Sequence, residues 1–366
     1  MKIAVVGAVG VPARYGGFET LAEQLAVGTA PDRVQLVIYC QKSAYPEVEL
    51  AAVPFAGHRR VAVPLRANGA GSMVHDAWAM AHAVFFERVA VLLVLGYSGA
   101  WALPFVRLLQ PGIRIITNID GMEWRRDKFG PFARQILRGL EWFATRFSHQ
   151  IIADNAALVD LARELHGVDP VLIAYGGDHT LVAAKPSTIP AGYFLSVARI
   201  EPENNCHLIL DACARRGTRL VFVGNWNASE YGRSLKAKYV GVAHLTLSDP
   251  VYEQAELAGL RAGAIGYLHG HSVGGTNPSL VEALFHTDRI FAFDCLFNRA
   301  TLAGSGHYFA DAADLADQIV DANAGFIAAN ALHDLRERYK WAHIVESYLA
   351  LCSPCDCASI KLNPGR

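Results

Sequence analysis

Short β-branched runs alternate with amphipathic helical stretches from the first residue to about Gly325, and this alternation constrains the chain more than any other feature. It predicts an α/β fold in which parallel strands are joined by crossover helices. In the first half the predicted strands are Lys2 to Val6, Val34 to Tyr39, Arg60 to Val63, Val91 to Leu95, Arg114 to Thr117, Gln150 to Ala153 and Val171 to Ile173. A connection from Gly176 to Gly192, with Pro186 and Pro190 inside it, then breaks the rhythm. It restarts with Tyr193 to Val197, Arg219 to Val223, Ala243 to Leu247, Ala264 to Tyr267, Ile290 to Phe293 and His307 to Phe309. Two doubly wound domains joined by one linker face each other across a central cleft, at the carboxyl ends of strands where open α/β sheets bind ligands. The 366 residues suit two domains of about 150 residues each. The predicted division is 1–180, 181–340 and a last piece, 341–366, whose helical stretch from about Trp341 to Leu351 can pack back across the first domain.

Composition excludes several classes. With 52% hydrophobic and 18% charged residues the chain is no disordered scaffold, and 33 Lys plus Arg against 34 Asp plus Glu give no field for nucleic acid. The seven cysteines are an odd count, four of them isolated in apolar segments, which predicts a reducing, cytoplasmic setting. Cys352, Cys355 and Cys357 lack a histidine at finger spacing and read as a tail, not a zinc site. The apolar run at the N-terminus stops at Gly7, too soon for a signal peptide. Val89 to Val106 carries no charge over 18 residues, yet Gly96, Gly99 and Pro104 interrupt it, so it reads as a buried strand feeding a helix.

Four stretches carry candidate chemistry. After the first strand, Gly16 and Gly17 either let backbone amides approach an anion or sugar or simply close the turn; Tyr15 and Glu19 flank them. The stretch is not the dinucleotide fingerprint, because the second strand ends Tyr39, Cys40, Gln41 with no acid for a ribose. At the next candidate site Asp120 and Glu123 follow a strand end, where they can accept bonds from sugar hydroxyls while Trp124 stacks on a ring; the alternative is a solvated loop. In the following helix Phe132, Ile136, Leu140, Phe143 and Phe147 form a stripe, and six cations from Arg125 to Arg146 outnumber two acids for a local charge of +4. A core-facing helix is the favoured reading and docking to anionic headgroups the rival.

In the second domain Arg199 at a strand end suits a phosphate, or a salt bridge to Glu201 or Glu203. Finally, a glycine-rich loop from His269 runs through His271, Gly274, Gly275, Thr276 and Asn277 into a helix with Pro278 in its first turn, an arrangement that favours a diphosphate. Glu282 lies one turn further on, within reach of a ribose or facing solvent.

Taken in order, Tyr15 to Thr20, Asp120 to Trp124, Asp154 and Asn155, Ala198 to Asn205, His269 to Glu282 and Phe297 to Arg299 resemble the family 4 glycosyltransferases. More closely, they resemble a bacterial rhamnosyltransferase-like subgroup. The resemblance implies the GT-B fold of two Rossmann-like domains, with the acceptor on 1–180 and a nucleotide sugar on 181–340. It implies a retaining transfer of a sugar, rhamnose from dTDP-rhamnose, to a glycan or lipid-linked acceptor in surface polysaccharide assembly, with no cofactor or metal. Such an enzyme is expected in the cytoplasm, peripheral to an anionic membrane. By the same resemblance Arg199 and the Gly274 to Thr276 amides stabilise the leaving diphosphate, Asn277 lies in the donor loop, Glu282 holds the ribose, and Asp120, Glu123 and His271 are the candidate catalytic groups. Two positions depart from the broad family: Gly274 stands eight residues before Glu282 where a glutamate is usual, and Asn204 stands where a lysine is usual. His271 is the candidate that orients the donor sugar instead, and Arg199 remains the main local phosphate cation. The rival classes are a nucleotide-sugar epimerase, which needs no acceptor, and a binding protein without turnover.

Overall fold

A computed structural model describes residues 1–14, 16–46, 54–119, 121–126 and 129–353. Tyr15, Asp120, Cys355 and Cys357 lie outside the described residues, as do Asp127 and Lys128 of the basic segment. Strands β1 (Lys2–Val6), β2 (Gln35–Gln41), β3 (Arg59–Val63), β4 (Val91–Leu95), β5 (Arg114–Ile119), β6 (Gln150–Ala153) and β7 (Val171–Leu172) form one parallel sheet in the order 3-2-1-4-5-6-7. β8 (Tyr193–Val197), β9 (Leu220–Val223), β10 (Leu245–Ser248), β11 (Ala264–His269), β12 (Ile290–Phe293) and β13 (His307–Phe309) form a second, in the order 10-9-8-11-12-13. Both orders reverse direction beside the first strand of the sheet, the switch point at which such folds open a ligand crevice. The predicted strands agree with these to within a few residues at each end.

The first sheet carries α1 (Gly17–Gly28) on one face; α2 (Gly71–His82), α3 (Leu103–Leu109), α4 (Pro131–Phe147) and α5 (Ala156–His166) follow along the chain. The second carries α6 (Cys206–Arg216), α7 (Glu230–Tyr239), α8 (Gln254–Gly263), α9 (Pro278–Leu284), α10 (Leu296–Thr301), α11 (Ala312–Val320) and α12 (Ala329–Arg338). β4 is buried along its whole length, as a strand covered on both faces must be. The uncharged run around it is therefore strand, turn and short helix. No helix among the described residues is long and apolar enough to cross a membrane.

The last helix, α13 (Trp341–Cys352), returns to the first domain. Trp341, Ile344, Val345, Tyr348 and Leu351 join the core formed with Ile3, Leu21 and Ile38, and the Tyr348 hydroxyl accepts from Asn118 Nδ2 at 2.6 Å. Its start is fixed at the linker, where Trp341 donates from its backbone to Asp178 (2.8 Å) and from its indole to His179 (2.9 Å).

One expectation is corrected here. The stripe of α4 does not face the core throughout: Leu140 is buried, but Phe132 is 80% exposed and Ile136 39%. Leu137, Leu140 and Phe143 pack on the core while Phe132 and Ile136 do not, so the period that marks a core face in a helix here marks a face that is half solvent.

Candidate functional site

Loops at the carboxyl ends of both sheets meet in the cleft. From the first domain, the loop entering α1 brings Gly17 so near α9 that a side chain there would lie 3.3 Å from Pro278 Cγ. Glu19 is buried and accepts from the Arg14 amide (3.2 Å), so it closes its own loop. After β5, Gly121 adopts φ +99° and rests on the glycine-rich loop; a Cβ there would come within 2.9 Å of Gly274 Cα. Both facts require glycine: the backbone is left-handed and the space is taken. Glu123 donates its amide to the Tyr97 hydroxyl (2.8 Å) and pairs with Arg126 (3.0 Å).

Trp124 is not a free sugar platform. Its indole donates to the buried Glu141 (2.8 Å), which also meets His166 Nε2 at 2.5 Å, and the Arg138 guanidinium covers its ring at 4.8 Å. The tryptophan instead ties the Gly121 to Arg126 loop to α4. Arg126 is the residue that sequence reasoning misplaced. It counted as part of a basic helix face, yet it is buried in the cleft, near Glu203 of the other domain (3.7 Å) and with Nη2 3.6 Å from where a Gly274 side chain would begin. No pattern in the sequence separates it from its exposed neighbour Arg125.

In the second domain Arg199 is exposed, and its guanidinium makes no hydrogen bond or ion pair among the described residues. The alternative of a bridge to Glu201 or Glu203 is not realised in this structure, since Glu203 faces Arg126. Asn204 is buried and spends its amide internally. Its Nδ2 donates to the Arg199 carbonyl (2.7 Å), leaving Oδ1 to accept from His271 Nδ1 (2.5 Å). That order fixes the histidine tautomer, with the proton on Nδ1 and a lone pair on Nε2, 3.4 Å from where a side chain on Gly274 would start. Burial, with His269, Arg126 and Arg199 nearby, holds His271 well below the usual imidazole range, so it is a neutral acceptor. Burial alone takes His269 down to about 3.

Gly274 has φ +115°. Thr276 donates to the Asp154 carbonyl (2.5 Å), and Asn155 Nδ2 reaches Thr276 Oγ1 (3.3 Å), the Phe297 carbonyl (3.1 Å) and Thr301 Oγ1 (3.1 Å). These bonds clasp the end of β6 to the glycine-rich loop and α10. Asn277 caps α9, accepting from the Ser279 amide at 3.0 Å. Glu282 neither faces open solvent nor stands alone. It forms an ion pair with the buried Arg261 of α8 and lies 3.6 Å from His179 of the linker. Of the predicted residues, the structure brings Gly17, Glu123, Arg199, Asn204, His271 and Gly274 to Thr276 to one cleft, and pairs Glu282 with Arg261 beside the linker.

Residues 1–178 match the family described as a domain of unknown function, DUF1972. None of the curated proteins matches the sequence. Among solved structures, the chain is similar to sucrose-phosphate synthase from Thermosynechococcus elongatus, with 14% identity, TM-score 0.78, and 96% of this chain and 98% of that one covered. It is also similar to Anabaena HepE in complex with UDP and glucose, with 16% identity, TM-score 0.72, and 96% and 99% covered. A protein from Listeria monocytogenes named as a UDP-N-acetylglucosamine 2-epimerase matches at 12% identity and TM-score 0.60, with 95% of each chain covered. At these identities the likeness is one of fold: two Rossmann-like domains in the GT-B arrangement.

Proposed function

We propose that the chain is a glycosyltransferase that takes a sugar from a nucleotide diphosphate held by the second domain and passes it to an acceptor on the first. The observation that carries this reading is the convergence of Arg199, whose guanidinium is unpaired among the described residues, a neutral histidine acceptor, His271, and the Gly274 to Thr276 turn in one interdomain cleft. An anionic leaving group would meet Arg199 and the loop amides, where charge developing in the transition state is stabilised. A sugar hydroxyl would donate to His271 Nε2. Asp120 and Glu123 would orient the acceptor, with the Tyr15, Gly16, Gly17 and Glu19 loop beside the phosphates. Glu282 would take the ribose only by loosening its pair with Arg261.

The finer reading is a retaining, metal-independent transfer of rhamnose from dTDP-rhamnose to a lipid-linked or oligosaccharide acceptor in surface polysaccharide assembly, at the cytoplasmic face of the membrane. It rests on the motif resemblance. The solved HepE structure with UDP and glucose supports the coarser class.

Thermal denaturation with a panel of nucleotide sugars tests the reading. A true donor at about 100 times its Kd adds about 2.7 kcal/mol to the folded state. Stabilisation by dTDP-rhamnose followed by glycosyl transfer supports it; stabilisation by no nucleotide sugar overturns it. Conversion of the donor to a different sugar nucleotide without acceptor assigns an epimerase instead.

A further inference from the structure

Three neighbouring helices of the first domain turn an apolar and one-signed face to solvent. The crossovers from β3 to β4, β4 to β5 and β5 to β6 run the same way across the sheet, which puts α2, α3 and α4 on one side of it. The Trp101 indole joins the turn before α3 to the Met73 carbonyl of α2 at 3.2 Å. Along α2 and the π-helical turn after it, Trp78, His82 and Phe86 stack in a column with ring centres 5.2 and 5.1 Å apart. Beside this column Phe105, Leu108 and Leu109 of α3 stand out, and then Phe132 and Trp142 of α4; Phe86 is 77% exposed and Leu108 78%. Among the described residues, 11 of the 23 exposed large apolar side chains lie between Val74 and Trp142, every exposed tryptophan included, so the apolar surface is gathered here and not scattered.

Charge on this stretch has one sign. Every exposed charged residue described between 71 and 147 is an arginine: Arg88, Arg107, Arg125, Arg138 and Arg146. The described acids are turned inward, with Asp76, Glu87 and Glu141 buried and Glu123 paired with Arg126. Between the ends of α2 and α3 a cleft of about 460 Å³ is lined by Phe85, Arg88, Val89 and Gln110, with a guanidinium on its wall.

We propose that this face docks on an anionic lipid bilayer, with Phe86, Trp101, Phe105 and Leu108 entering the acyl boundary and the arginines meeting lipid phosphates. A second copy of the chain is the poorer occupant, because a two-fold contact would set arginine against arginine. The proposal gives the membrane-peripheral reading above its surface. Vesicle binding needs neither donor nor acceptor, so the docking face and the transferase reading fail separately.

The test is co-sedimentation of the full chain with vesicles of phosphatidylcholine alone or mixed with phosphatidylglycerol, alongside tryptophan fluorescence. Binding to the mixed vesicles only, a blue-shifted emission, and loss as salt rises are expected. Arg88→Gln and Arg107→Gln should each weaken binding about fivefold. Phe105→Ser with Leu108→Ser should weaken it by about tenfold or more, with an unchanged circular dichroism spectrum since both residues are exposed. Absence of binding to anionic vesicles at low salt overturns the proposal, as does binding that none of these variants alters. A dimer in solution that the Phe105→Ser, Leu108→Ser variant dissociates also overturns it and assigns the face to self-association.

Discussion

Asn155→Ala measures how firmly the first domain is clasped to the glycine-rich loop of the second. Asn155 caps α5, its Oδ1 accepting from the Ala157 amide at 3.0 Å, while its Nδ2 spans the domain boundary to Thr276, Phe297 and Thr301. Loss of a cap costs about 1 kcal/mol. The two shorter interdomain bonds, both at 3.1 Å, add about 0.5–1.5 kcal/mol each. Their acceptors are not orphaned by the change, because Phe297 also accepts from Thr301, so the larger penalty of an unsatisfied buried group does not apply. Asn155→Ala should therefore lose about 2–4 kcal/mol, a fall in melting temperature of roughly 3–5 °C for a chain of this size. Asn155→Ser keeps a capping oxygen but is too short to reach the second domain, and should lose about 1–3 kcal/mol. Urea unfolding of the three proteins separates the contributions. A serine variant as stable as the wild type beside a destabilised alanine variant would refute the clasp and leave Asn155 as a cap alone.

Arg199→Lys should weaken donor binding about tenfold or more and leave melting unchanged, because an exposed ammonium keeps the charge but not the paired geometry; calorimetric titration of the donor checks it. Glu282→Gln should destabilise by about 3 kcal/mol by leaving the buried Arg261 uncompensated, whereas Glu282→Met with Arg261→Met should lose less than the two single changes together in urea unfolding. Acid stability should fall from about pH 6.5 downward: His269, held near 3 in the fold, stays neutral while the unfolded chain takes up the proton, so each unit below 6.5 costs about 1.4 kcal/mol. In His269→Gln the slope of stability against pH between 6.5 and 4 should be shallower by that amount, and an identical slope would show that the histidine is protonated in the native protein.

The fold was legible in the sequence because a doubly covered strand has a signature that little else shares. Val91 to Leu95 is five apolar residues stopped by Gly96, and burial on both faces demands that run. The site was legible only where backbone chemistry dictates the residue. Gly274 can be read because its φ of +115° needs glycine, and Pro278 because a first helical turn has no use for its missing amide. Side-chain partners across the domain boundary left no such trace: Arg126 belongs to the cleft only because Glu123 and Glu203 stand on either side of it, and Glu203 is 77 positions away, in the turn after β8 of the other domain. Trp124 was misread for the same reason, since nothing in its neighbourhood announces Glu141 on the following helix.

Asn204 shows what such distant pairing does to chemistry. A lysine at that position would put a cation beside the imidazole and give it no acceptor. The asparagine instead accepts the Nδ1 proton at 2.5 Å and is held in that orientation by the Arg199 carbonyl, so the position is converted from an electrostatic group into one that sets a tautomer. On the proposed reading, Asn204 and Gly274, the two departures from the resembled family, would thus act as one change in physical terms. On the proposed transferase reading, with no carboxylate eight residues before Glu282, a sugar hydroxyl would need another acceptor, and a histidine would supply one at Nε2 only with Nδ1 protonated. Asn204 keeps it so, while burial, with His269, Arg126 and Arg199 nearby, holds the second proton off.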